Sequence, residues 1–140
     1  MRSIAQILSD SKTIAIVGLS NKPDRASHEV AAYLQEHGYR IVPVNPSYAG
    51  QTILGETVHA TLQEAADALA PSGQRIDIVD CFRKSEDIPP IARDAIAVRA
   101  GCLWMQLEIE NQAAADLARA AGLDVVMNHC IKIEHRNLEG

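Results

Sequence analysis

The amino-acid sequence predicts an α/β domain in three layers, with a five-stranded parallel sheet and helices on both faces. Two observations predict it. Five short apolar runs alternate with segments of helical periodicity, and the first run ends at a glycine that opens a polar, basic turn. Runs without a polar face suit parallel strands, which are covered on both sides. Their alternation with helices then calls for right-handed crossovers.

Taken in order, Ile4, Ile7 and Leu8 recur at helical spacing and predict a short N-terminal helix. Thr13 to Val17 is the first strand, ending at Gly18. Ser27 to Gly38 predicts a helix with Ser27 at its cap, Val30, Ala31 and Leu34 on one face, and Gly38 at its end. Tyr39 to Val44 is the second strand, halted by Asn45-Pro46. Ser47 to Glu56 reads as a connecting stretch. Thr61 to Leu69 then predicts a helix with a capping box of Thr61 and Glu64. Ile76 to Val79 is the third strand, and Ser85 to Val98 is helical with Pro89-Pro90 in its first turn or breaking it. Cys102 to Met105, Asn111 to Ala121 and Asp124 to Met127 complete the alternation as strand, helix and strand. The tail, Asn128 to Gly140, reads as a short polar end.

The bulk properties narrow the function. The chain has 140 residues, the size of one ordinary domain, so residues 1–140 are expected to share one core. Its 47% hydrophobic content supports a packed interior. A formal charge of -5 disfavours nucleic acid or an anionic membrane as partner, since both are held by clustered positive charge. Met1 to Ser9 lacks the apolar core of a signal peptide, and no run approaches the ~20 apolar residues of a membrane span. The three cysteines, Cys81, Cys102 and Cys130, have no C-x-x-C pair. Neither a disulfide framework nor a metal knuckle is indicated, and a cytoplasmic location is expected.

In such sheets ligands bind beyond the carboxyl ends of the strands. There the turn Gly18-Leu19-Ser20-Asn21 runs into a helix whose N-terminal N–H groups attract phosphate. Ser20 and Ser27 offer hydroxyls, and Lys22 and Arg25 bring two positive charges. The plainer alternative is a strand-to-helix joint capped by serines. The pattern departs from G-x-G-x-x-G, because Ser20 and Pro23 occupy the second and third glycine places. A site for NAD also carries an acid at the end of its second strand. Here that place holds Asn45 and Pro46, which favours a ligand phosphorylated on its ribose, such as coenzyme A or NADP.

The residues Ile16 to Arg25, Ser27 to Val30, Gly38 to Pro46, Ile53 to Glu56, Asp77 to Arg83, Trp104 to Gln106 and Val126 to Cys130 together carry a resemblance. The chain resembles the small stand-alone CoA-binding proteins of bacteria, and is similar to the N-terminal CoA-binding domain of the succinyl-CoA synthetase alpha subunit. The likeness spans Ser11 to His135. It implies a Rossmann-like fold and coenzyme A or an acyl-CoA as ligand. It also implies that Gly18, Ser20, Asn21 and Ser27 line the phosphates, with Lys22 and Arg25 at the loop's edge. Asn45 and Pro46 would meet the nucleotide, and Cys81, Phe82 and Arg83 would face its adenine and pantetheine parts. The family's last motif reads Asp-Arg-Cys; here it is Asn128-His129-Cys130, which puts in doubt any role that needs the acid and arginine together.

Other residues leave alternatives open. Phe82 either packs on the ligand or belongs to the core, and Arg83 either pairs with a phosphate or is solvated. Trp104 reads as core, and Gln106, just past its strand, as the better ligand contact. Cys130 is either a thiol near the ligand or a small apolar residue. His129, Cys130 and His135 lack the paired spacing of a metal site. Asp77 and Asp80 flank the third strand, where one carboxylate could orient a loop. No G-x-S-x-G elbow or nucleophile-base-acid set is evident. The expected function is therefore binding of coenzyme A without autonomous catalysis. The alternatives are an NAD(P)-dependent oxidoreductase or redox sensor, and a subunit acting in trans on an acyl-CoA synthetase. A homodimer or a synthetase partner is compatible with either.

Overall fold

In the computed structural model, which describes residues 1–139, strand β1 (Thr13–Val17) is buried at all five positions. It pairs on one side with β2 (Arg40–Val44) and on the other with β5 (Ile78–Cys81), both parallel. Then come β6 (Cys102–Met105) and β7 (Asp124–Val126), giving a parallel sheet of order β2-β1-β5-β6-β7. The chain steps outward from β1 to β2 and returns to the opposite side of β1 at β5. The strand order therefore reverses between β1 and β5, and the crevice above their carboxyl ends is where such sheets place ligands.

Six α-helices cover the two faces among the described residues. Helices α1 (Ile4–Asp10), α2 (Ala26–Glu36) and α6 (Ile131–Glu139) bury Ile7, Leu34 and Ile131 against Ile14, Ile16 and Trp104. Helices α3 (Leu62–Leu69), α4 (Ile88–Ala97) and α5 (Gln112–Ala120) bury Leu62, Ala92 and Ala115 against Ala15, Val79 and Leu103. Alternate residues of each strand feed the two cores, because side chains alternate across a sheet.

The differences from the expected elements have local causes. Strand three starts two residues later than its apolar run. The Asp77 carboxylate is drawn back to accept from the Lys12 and Thr13 N–H groups at 2.8 and 3.0 Å, and so orients that loop. Ser27 is no cap. It lies inside the first turn of α2, whose cap position is Arg25, and its Oγ accepts from the Ser20 N–H at 3.0 Å. Thr61 does cap α3, by accepting from the Glu64 N–H, but the Glu64 carboxylate accepts from the Ala60 N–H instead of closing a box on Thr61. The true capping box is Ser3 with Gln6, at the start of α1. Pro89 and Pro90 sit in the first turn of α4, after a 3-10 turn at Ser85–Asp87.

Within the connecting stretch, β3 (Thr52–Ile53) and β4 (Glu56–Thr57) form an antiparallel hairpin, tied to β2 by an Arg40–Glu56 ion pair of 3.1 Å. The tail is not a loose polar end but α6. Ile131 and His135, four apart, form its buried stripe, and the Tyr33 hydroxyl lies 2.8 Å from His135 Nδ1. One apolar residue and one histidine make too faint a pattern to read as a helix.

Candidate functional site

Where β1 ends, the backbone on each side is fixed: the Gly18 N–H donates to Val44 O and the Phe82 N–H to Val17 O, both at 2.9 Å. Gly18 adopts φ +90°, and a Cβ there would stand 2.4 Å from the Phe82 carbonyl oxygen. Conformation and space both demand glycine. The loop then folds on itself. Besides the Ser20–Ser27 bond, the Ser20 Oγ accepts from the Lys22 N–H at 3.1 Å and the Lys22 O accepts from the Arg25 N–H at 3.1 Å. Asn21, Lys22 and Arg25 remain exposed.

This loop and the start of α2 enclose a polar pocket of about 260 Å³ that includes Gly18, Ser20, Lys22, Arg25, Ser27 and Phe82, closed on one side by Tyr48. Two cations, hydroxyls and the free N–H groups of a helix N-terminus converge there, the combination that holds a phosphate. Leu19 is fully buried and offers only its backbone, and its carbonyl is taken by the Asn45 Nδ2 at 3.1 Å.

Asn45, at the end of β2, is 5% exposed. Its Oδ1 accepts from the Ser47 N–H at 3.0 Å and from Arg83 Nη2 at 3.4 Å. Arg83 also borders Gly18, with its Nε 3.3 Å from the place a Cβ would take. It stands between the polar pocket and a second cavity of about 370 Å³, whose apolar wall includes Val17, Val44, Pro46, Leu62 and Ile91. Asp87, just before α4, and Asp94 on it also line that cavity.

Of the named residues, Leu19, Asn21, Asn45, Cys81 and Gln106 line neither pocket. Cys81 is fully buried in the α3–α5 core; burial first, and then Asp80, push its thiol well up, so it stays protonated and unreactive. Gln106 is 4% exposed, and its Oε1 accepts from the Ile131 N–H at 3.1 Å, fastening the start of α6. The Leu19 side chain lies in the other core. Trp104 is fully buried, with its Nε1 donating to His129 O at 2.8 Å. Cys130 is partly exposed beside that core. His129 Nδ1 is 2.8 Å from Glu134, and the Asn128 Oδ1 accepts from the Glu108 N–H at 2.7 Å, so both variant residues of the last motif hold their own loop. No cluster of three or more potential metal ligands occurs among the described residues.

Sequence reasoning passed over Ile91, Asp87 and Asp94. The spacing of Asp87, Ile91 and Asp94, at i, i+4 and i+7, does place them on one helix face. Tyr48, marked in the sequence by the place of Asn45 to Tyr48 just past the second strand, reaches the pocket through the 3-10 turn Pro46–Tyr48.

Comparison with known proteins gives relatives that span nearly the whole chain. A family model described as a CoA binding domain matches residues 12–136. The Bacillus subtilis (strain 168) protein YneT is 39% identical over 132 residues, which is 94% of this chain and 91% of that protein. A Thermus thermophilus structure, cell-free ID.343, superposes with a TM-score of 0.85 at 33% identity, covering 96% of each chain. A hypothetical protein from Pyrococcus horikoshii OT3 gives a TM-score of 0.85 at 36% identity, covering 98% of this chain and 90% of that one.

Proposed function

The chain belongs to the CoA binding domain family, and from that premise we propose that it holds coenzyme A or an acyl-CoA above the carboxyl ends of β1, β2 and β5, as a binding module without catalysis of its own. One observation carries the choice of ligand. Where an NAD site places a carboxylate to accept from ribose hydroxyls, this chain has a neutral, buried Asn45 whose oxygen faces the Arg83 guanidinium. A phosphorylated ribose meets a positive charge there instead of a negative one.

The polar pocket at Gly18, Ser20, Lys22, Arg25 and Ser27, with Asn21 exposed on the same turn, suits the diphosphate. Arg83, beside Asn45 and Pro46, suits the ribose phosphate, and the apolar cavity beyond it suits the adenine ring. Phe82, which lines the polar pocket, suits the start of the pantetheine arm. In this reading the protein is a single cytoplasmic domain that keeps a CoA thiol bound for sensing, carrying or protection, alone, as a homodimer or beside a synthetase. Among the described residues no helix is long and apolar enough to cross a membrane.

A thermal-shift series with CoA, acetyl-CoA, 3'-dephospho-CoA, NAD and NADP tests the proposal. A ligand at 100 times its Kd stabilises by about 2.7 kcal/mol. CoA should raise the Tm more than NAD or NADP. A shift with NAD and none with CoA would overturn the reading.

A further inference from the structure

One buried carboxyl lies directly beneath the polar pocket. Asp80, on β5, is fully buried between Ile16 of β1 and Trp104 of β6, its partners in register. Residues paired in parallel strands project to the same face, so Asp80 points with these two toward the core under α2 and α6. Phe82, two residues on and about 7 Å further along the strand, packs on that core and lines the polar pocket. Gly18, two residues past Ile16, lines the pocket as well. Asp80 is therefore one step down its strand from the pocket floor.

Neither oxygen of Asp80 has a hydrogen-bond partner among the described residues. The indole N–H of Trp104 beside it donates to His129 O instead. The titratable groups around this core do not answer it either. Cys102 of β6 and Cys81 of its own strand are buried thiols, and Cys130 stands partly exposed at the start of α6. Tyr33 of α2 and His135 of α6 bond each other at 2.8 Å, and the Tyr39 hydroxyl donates to Leu8 O. Lys22, Arg25 and Arg83 surround the pocket above, and among the described residues none of them forms an ion pair with Asp80. Burial alone raises its pKa well above the carboxylate range. An ionised Asp80 is a buried charge without a partner, which is strongly unfavourable. A diphosphate in the pocket adds negative charge across a poorly screening interior and makes that ionisation harder still.

We infer that the pocket takes its anionic ligand in the form of the protein in which Asp80 carries a proton, so that ionising Asp80 weakens the ligand's hold. The inference rests on the CoA reading above and adds how that site responds to pH. The coupling is reciprocal: the ligand's phosphates keep the proton on Asp80, and the proton keeps the ligand. Affinity is therefore full below the pKa of Asp80 in the free folded protein. It falls as the pH rises through that value, until the still higher pKa of the bound state is passed.

The test is calorimetric titration of CoA into the wild-type chain and the D80N variant from about pH 6 to about pH 9, at each pH in buffers of different ionisation enthalpy. Asparagine keeps the shape of the side chain and cannot ionise. The phosphates of CoA titrate alike with both proteins and cancel in the difference. As the pH rises, the wild-type affinity should fall relative to that of D80N, by at most about tenfold per unit, and the wild type should take up more protons on binding. D80S, smaller and equally neutral, should give the same profile as D80N, and it serves if the asparagine variant does not fold. Wild-type and variant profiles that run parallel, or equal proton uptake, overturn the inference and leave the CoA reading intact. A wild type that binds no CoA even at the acid end of the series brings down both.

Discussion

Gly18 lies so close to Phe82 that a Cβ on the glycine would stand 2.4 Å from the Phe82 carbonyl oxygen, with Arg83 Nε 3.3 Å away. The turn after β1 and the segment after β5 are therefore one packed unit across the point where strand order reverses.

Gly18→Ala should accordingly damage stability and site together. The left-handed conformation costs a non-glycine residue about 1–2 kcal/mol, and the clash with backbone cannot be relieved by a rotamer. A total loss of roughly 2–4 kcal/mol is expected, read as a lower midpoint in urea. Because Phe82 and Arg83 must move to make room, CoA affinity should fall as well. A variant of unchanged midpoint would show that the two segments do not touch.

The two arginines should separate by ligand. Arg83 is placed at the end of β2 by its bond to Asn45, whereas Arg25 lies at the edge of the loop pocket. In titrations, Arg83→Ala is expected to weaken CoA by about tenfold, the size of one lost charged hydrogen bond, while scarcely changing 3'-dephospho-CoA. Arg25→Ala should weaken both ligands alike. If Arg83→Ala also costs the two ligands equally, Arg83 does not hold the ribose phosphate.

Much of this was legible in the sequence because it depends on local rules. Five buried runs alternating with amphipathic segments specify the sheet, and Gly18 with its serines and cations marks the polar pocket. The cavity wall of Asp87 and Asp94 was illegible, since exposed acids on a helix read as a solvated face until α3 is packed opposite them. Ser27 was misread as a cap, and Gln106 makes a structural bond that its position did not announce. Their types and positions suit a cap and a ligand contact, but the structure spends Ser27 Oγ on the Ser20 N–H and Gln106 Oε1 on the Ile131 N–H. Helix α6 was missed because its buried stripe contains His135 in place of a second apolar residue.

Gln106 can be assigned by experiment. Gln106→Leu keeps the apolar volume but leaves the Ile131 N–H without its acceptor in a buried place. That should cost about 1–3 kcal/mol, with early amide exchange in α6 and little change in CoA affinity below the transition. A weakened CoA affinity at unchanged stability would instead make Gln106 a ligand contact.

Asp80 supplies a pH dependence whose sign follows from its surroundings. On the central strand β5 its two carboxyl oxygens are buried without a hydrogen-bond partner among the described residues. Burial raises its pKa well above the ordinary carboxylate range. The folded protein thus keeps a proton that the unfolded chain loses near pH 4. The stability this group contributes is full below the unfolded pKa and declines as the pH rises toward the folded one, by at most about 1.4 kcal/mol per unit. Asp80→Asn is neutral at every pH and removes that decline. Urea denaturation of both proteins between about pH 5 and pH 7 should show the variant gaining on the wild type as the pH rises, with other carboxylates cancelling in the difference. Parallel profiles would mean that Asp80 is ionised and compensated in the folded state, and that the carboxyl two residues before Phe82 places a negative charge beneath the ligand site.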